Sequence, residues 1–292
     1  ATEEFSTTTA VGAWSTGGSL NTARSDLAAA GTQTSALGFG GTAPPGLQAL
    51  TEQYNGTNWT EVNDLNLARM RLSGAGTSTA ALAIGGTNPA TANTETWNGT
   101  NWTEVNNLGT AKYAMGSAGT NTAALIFGGM PSAKADTETW NGTNWTEVNN
   151  LNAARRYLGG AGTNTAALAF GGTGAFPSPL SALTELWNGT NWTEVNDLNT
   201  ARLGLGSSGA TNTAVLGFGG INPGTSPATL FAVTETWNGT NWTEVNDLNT
   251  ARSAMGGTGT NTAALAFGGS APSFAATEEW SDPGTIIKTL TT

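Results

Sequence analysis

The chain has 292 residues, among them 10 Lys plus Arg, 20 Asp plus Glu, 41 Gly and 11 Trp, with no Cys, no His and a formal net charge of −10. The two zeros exclude Ser-His-Asp and Cys-His catalysis, zinc sites of the His/Cys kind, disulfide frameworks and thiol redox chemistry. The acidic balance leaves too few cations for a phosphate-binding face, so no nucleic acid is expected as a partner. No apolar run approaches the roughly 18 residues of a membrane span, so no membrane insertion is expected either.

In chain order, residues 1–5 show neither a cationic start nor an apolar stretch. No signal peptide is expected there, and the missing initiator Met suggests a processed or excised chain. Residues 2–5 read Thr-Glu-x-aromatic, which predicts a half-buried strand, and the pattern returns at 51–54, 94–97, 137–140, 184–187, 234–237 and 277–280. AWSTGGSLNTAR at 13–24 is a degenerate copy of a longer motif. The full motif reads YNGTNWTEVNDLNLAR at 54–69, WNGTNWTEVNNLGTAK at 97–112, WNGTNWTEVNNLNAAR at 140–155, and WNGTNWTEVNDLNTAR at both 187–202 and 237–252. After each comes a small-residue stretch and then an apolar run ending in a Gly doublet: GFGG 38–41, AIGG 83–86, IFGG 126–129, AFGG 169–172, GFGG 217–220 and AFGG 266–269. The chain is therefore six units with a period of 43 to 49 residues between doublets.

Within a unit, AKYAMGSAG (111–119) is rich in Ala and Gly and suits a strand where sheets crowd toward an axis. NTAALIFGG (121–129) is apolar on both faces and predicts a strand buried between neighbouring sheets. Asn98-Gly99, the pair most willing to take positive φ, predicts a tight hairpin from the strand at 94–97 to one at 102–105. Four short antiparallel strands per unit and no helix signal predict an all-β, six-bladed β-propeller, a single domain over 1–292. Its repeat units fall at about 22–63, 67–106, 110–149, 153–196, 200–246 and 250–290.

Seven Thr-Glu-x-aromatic segments stand against six inner hairpins, so one blade must be closed between the chain ends, by residues 1–15 and/or 281–292. The segment 11–14 is favoured over 285–290 because it alone keeps the ten-residue spacing from Trp14 to Arg24. The other becomes a surplus strand, whose unpaired N–H and C=O groups suit pairing with another protein.

These units resemble the kelch repeat family. The resemblance rests on the cation that opens the innermost strand (Arg24, Arg69, Lys112, Arg155, Arg202, Arg252), the Gly-Gly ending the second, and the aromatic of the third (Tyr54, Trp97, Trp140, Trp187, Trp237). It rests also on the Trp of the fourth (Trp14, Trp59, Trp102, Trp145, Trp192, Trp242). It covers essentially the whole chain, departing where a His usually stands near the first strand and in a shorter turn between the aromatics. The resemblance implies the propeller and little about function.

The first-to-second and third-to-fourth connections are near-copies (GTNT, NGTN), whereas the second-to-third loops all differ: 42–50, 87–93, 130–136, 173–183, 221–233 and 270–276. These loops are expected on one face and look like a display surface, with Phe176, Pro177, Leu180, Leu230, Phe231 and Phe274 as its apolar contacts; loop drift is the alternative. The six repeated cations are expected to ring the channel mouth on that face. They are either open to an anionic ligand or paired with Glu52, Glu95, Glu138, Glu185, Glu235 and Glu278, and the matching stoichiometry favours pairing.

Glycoside hydrolysis needs two acids in unlike environments. Most acids here recur blade by blade, and the exceptions, Glu4, Asp26, Asp136, Glu279 and Asp282, are scattered. No calcium-loop pattern appears, so no metal and no cofactor are expected. The copper oxidases built on this fold use His and a Cys cross-link, both missing here. Asn55, Asn58 and their counterparts match the N-glycosylation pattern, but ten acceptors on five tight turns are better explained by turn chemistry.

The reading is a non-enzymatic structural and binding module on a virion or an extracellular or cell surface. Thr/Asn/Gly-rich arrays with WNGTNWTEV repeats are similar to those of marine bacteriophages and bacteria, which implies a tail fibre, capsid decoration or adhesin in host attachment. The expected partners are other virion or surface proteins, met through the terminal strands, and a host receptor or glycan. The alternatives are a sugar-active enzyme at the channel mouth, which needs a unique acid pair, and an adaptor for an acidic peptide, which needs unpaired arginines.

Overall fold

Each repeat folds as four antiparallel strands because each of its segments has a different burial to satisfy. In the computed structural model, which describes residues 4–9, 12–87, 89–175, 180–270 and 274–290, the second blade shows the plan. Its strands are Ser73–Gly76, Ala81–Ile84, Thr94–Trp97 and Trp102–Val105. Leu82 lies opposite both Ala75 and Thr96, and Trp97 opposite Trp102. Every residue of the second strand is fully buried, as its unbroken apolar run predicts, while the first strand alternates buried and half-buried small residues that face the axis. Six such four-stranded sheets stand around a central channel, with the first strand of each blade touching that of the next until the sixth meets the first. There is no helix among the described residues.

The predicted first strand at 111–119 is shorter than expected: only Gly116–Gly119 is strand. Residues 111–115 approach it along the channel mouth, where Tyr113 bridges Met130. The Asn-Gly hairpins form, but of each pair only the glycine takes positive φ, while the Asn side chain caps the turn. Gly99 takes φ +92, and Asn98 Oδ1 accepts the N–H groups of Thr100 and Asn101 at 2.9 and 2.8 Å.

Blades are held to one another by the fourth-strand tryptophans. Trp102 Nε1 donates to Thr51 Oγ1 of the preceding blade at 3.0 Å, and the same bond recurs from Trp14, Trp59, Trp145, Trp192 and Trp242. Each ring packs on the third-strand aromatic of its own blade and on the second-strand residue of the preceding one, as Trp192 does on Trp187 at 5.3 Å and Phe127 at 4.9 Å. Aromatic pairs of this kind add about 0.5–1.5 kcal/mol beyond area burial. The third blade departs from the rule. Its Trp145 meets Ile84 instead of a Phe and stays half-buried.

The ring closes as the spacing argument favours. Ala13–Gly17 forms the fourth strand of the sixth blade, with Trp14 opposite Trp280. Of the seventh Thr-Glu-x-aromatic segment, 2–5, the described residues Glu4 and Phe5 do not join a blade. They lie in Glu4–Thr9, which pairs antiparallel with Thr285–Leu290 as a separate two-stranded ribbon. The physical reason is that no inner hairpin remains for it to extend. Both segments are therefore surplus to the blades, and each pairs with the other.

The seam between the sixth and first blades has its own bonds. Where other blades place Asn63, Asn106, Asn149 or Asn196 against the next turn, the seam has Gly18, and a Cβ there would lie 2.0 Å from the Thr57 carbonyl oxygen. Gln33 Nε2 donates to the Trp280 carbonyl and Tyr54 to Glu279 Oε1, both at 2.5 Å. Burial first, then the Glu279 carboxylate, pushes the Tyr54 phenol up to about 12. This lies above the value of about 10 for an unfolded tyrosine, so its contribution is fully present below about pH 10 and fades as pH rises through the folded value. Thermal melts from about pH 9 upward should therefore fall more steeply for the parent chain than for Tyr54→Phe.

Candidate functional site

The six repeated cations are scaffold. Arg24 reaches Glu52 at 2.9 Å, Lys112 reaches Glu138 at 2.7 Å and Arg155 reaches Glu185 at 2.8 Å. Arg69, Arg202 and Arg252 pair in the same way with Glu95, Glu235 and Glu278. All six cations are at most 1% exposed, and none lines the channel, so the expected channel-mouth ring is a set of plugs inside the blades. Burial lowers the Arg24 and Arg155 guanidinium pKa values, and their Glu partners oppose that shift. The second carboxylate oxygen anchors the incoming chain: Glu185 Oε2 accepts both the backbone N–H and the side-chain amide of Asn152, at 2.7 and 2.9 Å.

The channel is a cavity of about 420 Å³ lined by the Gly, Ala, Ser and Thr residues of the first strands. At the variable-loop end it is stoppered by Leu27, Leu72, Met115, Leu158, Leu205 and Met255, all buried, beyond which opens a shallow mouth of about 100 Å³. The residue before each of these stoppers takes part in a closed backbone ring. Asp26 N–H donates to Ala254, Arg71 to Asp26, Ala114 to Arg71, Tyr157 to Ala114, Gly204 to Tyr157 and Ala254 to Gly204, at 2.8–2.9 Å. All six have φ between +53 and +62, a left-handed conformation that only Gly204 adopts freely. Replacing Ala254 by Gly should therefore stabilise the fold by up to about 1 kcal/mol, measurable by urea denaturation.

Five non-glycine residues are thus held where glycine fits the backbone best, and three of them carry large or charged side chains. Arg71 Nε donates to Asp26 Oδ1 at 3.2 Å, and its guanidinium lies 5.5 Å from the centre of the Tyr157 ring. Burial raises the Asp26 carboxyl, with Arg71 acting against it. The preceding position is equally varied (Ser25, Met70, Tyr113, Arg156, Leu203, Ser253), and each of these residues bridges the start of its blade's second-to-third loop. The varied dipeptides and the varied loops therefore converge on one face of a repeated ring.

Sequence reasoning placed the loops on this face but missed the dipeptides at the mouth, noting only Asp26 as an acid outside the pattern. The signal was there: between a repeated Arg or Lys and a repeated Leu or Met, the intervening dipeptide is different in each of the six repeats. The loop residues named from sequence are partly tied down. Leu180 bridges Thr173 and Leu230 pairs with Ile221. Phe231 N–H donates to the Gly220 carbonyl at 2.9 Å, and the Phe274 ring lies 5.4 Å from the Arg252 guanidinium. Phe176 and Pro177 lie outside the described residues. Asp26, Asp136, Glu279 and Asp282 sit apart, with partners in Arg71, Lys134, Tyr54 and the Gly284 N–H respectively, and do not meet as an acid pair.

Compared with known proteins, the chain matches no family model and no curated protein. Its function is therefore read from the chemistry of this face alone.

Proposed function

We propose that the chain is a non-enzymatic binding module, a kelch-like propeller displayed on a virion or cell surface as tail fibre, capsid decoration or adhesin, which binds through the variable face. The observation that carries this reading is the concentration of unrepeated residues on one face, including bulky side chains held in left-handed backbone at the mouth. Strain kept against the preference of the scaffold is a mark of use. The opposite face, built from repeated GTNT and NGTN connections, offers one surface copied around the ring. The ribbon of Glu4–Thr9 and Thr285–Leu290 is the point of attachment to other virion or surface proteins, since an isolated two-stranded sheet gains from a further partner. The six paired cations offer no set of free arginines to an acidic peptide, which removes the support for the adaptor reading.

The test is an array of glycans and bacterial envelope preparations probed with the parent chain, with Tyr113→Ala/Tyr157→Ala on the variable face and with Thr122→Lys/Thr165→Lys on the opposite face. Capture abolished by the first variant alone supports the proposal. Capture abolished only by the second, or release of cleaved sugar from the array, overturns it.

A further inference from the structure

Of the 10 Lys and Arg residues, six are held in the buried blade pairs and Lys288 lies on the terminal ribbon. The remaining three, Arg71, Lys134 and Arg156, all fall on the variable face of three consecutive blades, the second to the fourth. The tyrosines divide in the same way. Tyr54 belongs to the seam, whereas Tyr113 and Tyr157 lie in this sector. Across the mouth the matching positions are Leu203, Gly204, Ser253 and Ala254, with neither charge nor aromatic ring. Arg71 joins Asp26 to the Tyr157 ring, and the backbone ring carries Tyr157 next to Ala114, the neighbour of Tyr113, so these groups share one neighbourhood. Burial raises the Tyr157 phenol.

Two of the three cations already have acids: Arg71 pairs with Asp26 at 3.2 Å and Lys134 with Asp136 at 3.4 Å. Arg156 has none among the described residues. Its Nη1 donates to Met130 Sδ at 3.0 Å, a weak acceptor, and its buried Nε has no partner among them. Met130 in turn bridges Tyr113, and Tyr157 follows Arg156 in the chain. In a chain of net charge −10, one guanidinium without an acid partner among the described residues, in a sector that holds two tyrosines, is a place for one anionic group.

We infer that this sector binds a saccharide through a single anionic substituent, a carboxylate or a sulfate, with Arg156 as its charge-assisted partner and Tyr113 and Tyr157 against the sugar ring. The inference deepens the binding-module reading and rests on it. A polyanion is disfavoured because Asp26 and Asp136 flank the site and, among the described residues of this face, Arg156 alone of the three cations lacks an acid partner. A saccharide fits better than an acidic peptide because the mouth is shallow, about 100 Å³, and its floor of Leu and Met is closed, leaving no cleft for peptide side chains. Tyrosine rings near a charged donor suit a ring with apolar C–H faces and a polar rim.

The experiment is calorimetric titration of the full chain with oligosaccharides ending in glucuronic acid, in 6-sulfated glucose or in plain glucose, and with N-acetylglutamate. The acid-bearing sugars should bind at least about tenfold more tightly than the glucose-ended one, and the two acid arms decide between carboxylate and sulfate. Arg156→Gln should remove about tenfold of that affinity without moving the melting temperature, Arg156→Lys should restore part of it, and Lys134→Gln should change it little. Equal binding of the glucose-ended sugar, indifference to Arg156→Gln, or binding of N-acetylglutamate alone overturns the inference, as does no binding of any saccharide. If it fails while Tyr113→Ala/Tyr157→Ala still abolishes capture on the array, the binding-module reading stands and only the ligand class is wrong.

Discussion

Replacing Glu185 by Leu is expected to lower the unfolding free energy by about 3–5 kcal/mol, because it strands a buried guanidinium. Arg155 keeps only the Gly171 and Leu183 carbonyls, at 3.0 and 2.7 Å, and the Asn152 backbone N–H loses its acceptor while its amide keeps only the Trp192 carbonyl. Arg155→Met should cost less, about 1–3 kcal/mol, since the Asn152 donors still satisfy the orphaned carboxylate. The double variant Arg155→Met/Glu185→Leu should cost less than the sum of the singles, because removing both charges removes the desolvation penalty with them. Urea denaturation of the four proteins measures all three differences. Strictly additive losses would mean that the pair is not coupled.

Trp14→Ala is expected to lower stability by about 3–5 kcal/mol and to loosen the ring at its closing strand. The indole packs 5.0 Å from Phe218 and 5.5 Å from Trp280, and its N–H bonds to Thr234 Oγ1 at 3.1 Å, so its loss opens the core between the fifth and sixth blades. Trp145→Ala, at the equivalent position of the third blade, should cost clearly less, because that ring is half-buried and faces Ile84 in place of a Phe. Melting of the two variants side by side checks the order. The reverse order would contradict closure by Ala13–Gly17.

Most of the fold was legible because each repeat spells out its own burial. The unbroken apolar run before each Gly doublet is the doubly covered second strand, and the Asn-Gly pairs are the turns. The ten-residue spacing from Trp14 to Arg24 selected the closing strand, because the Trp-to-cation distance is a property of the blade. The segment at 2–5 misled for the opposite reason: the four-residue pattern is short, and nothing in it records whether an inner hairpin exists for it to pair with. The matching numbers of cations and Glu residues foretold the pairs, but burial inside the blades instead of exposure at the channel mouth followed only from the carbonyls that Arg24 and Arg155 also reach. At the mouth, no local pattern signals that Asp26, Arg71 and Tyr157, in different blades, share one hydrogen-bonded ring.

The same ring explains why the candidate site tolerates variety. Backbone N–H and C=O groups close it whatever the side chain, so the six positions can differ while the geometry stays fixed, and the Leu or Met stopper beneath each keeps the channel sealed. Function can therefore change at the mouth without cost to the packing that holds the blades together.

The most direct test is amide hydrogen exchange on the full chain, alone and saturated with whichever acid-bearing oligosaccharide binds. Slowed exchange in residues 24–27, 69–72, 112–115 and 155–158 and in the adjoining second-to-third loops, with the NGTN turns unchanged, is the result expected if the variable face is the binding face. Protection confined to the NGTN turns or to the terminal ribbon, with the mouth unaffected, would contradict it.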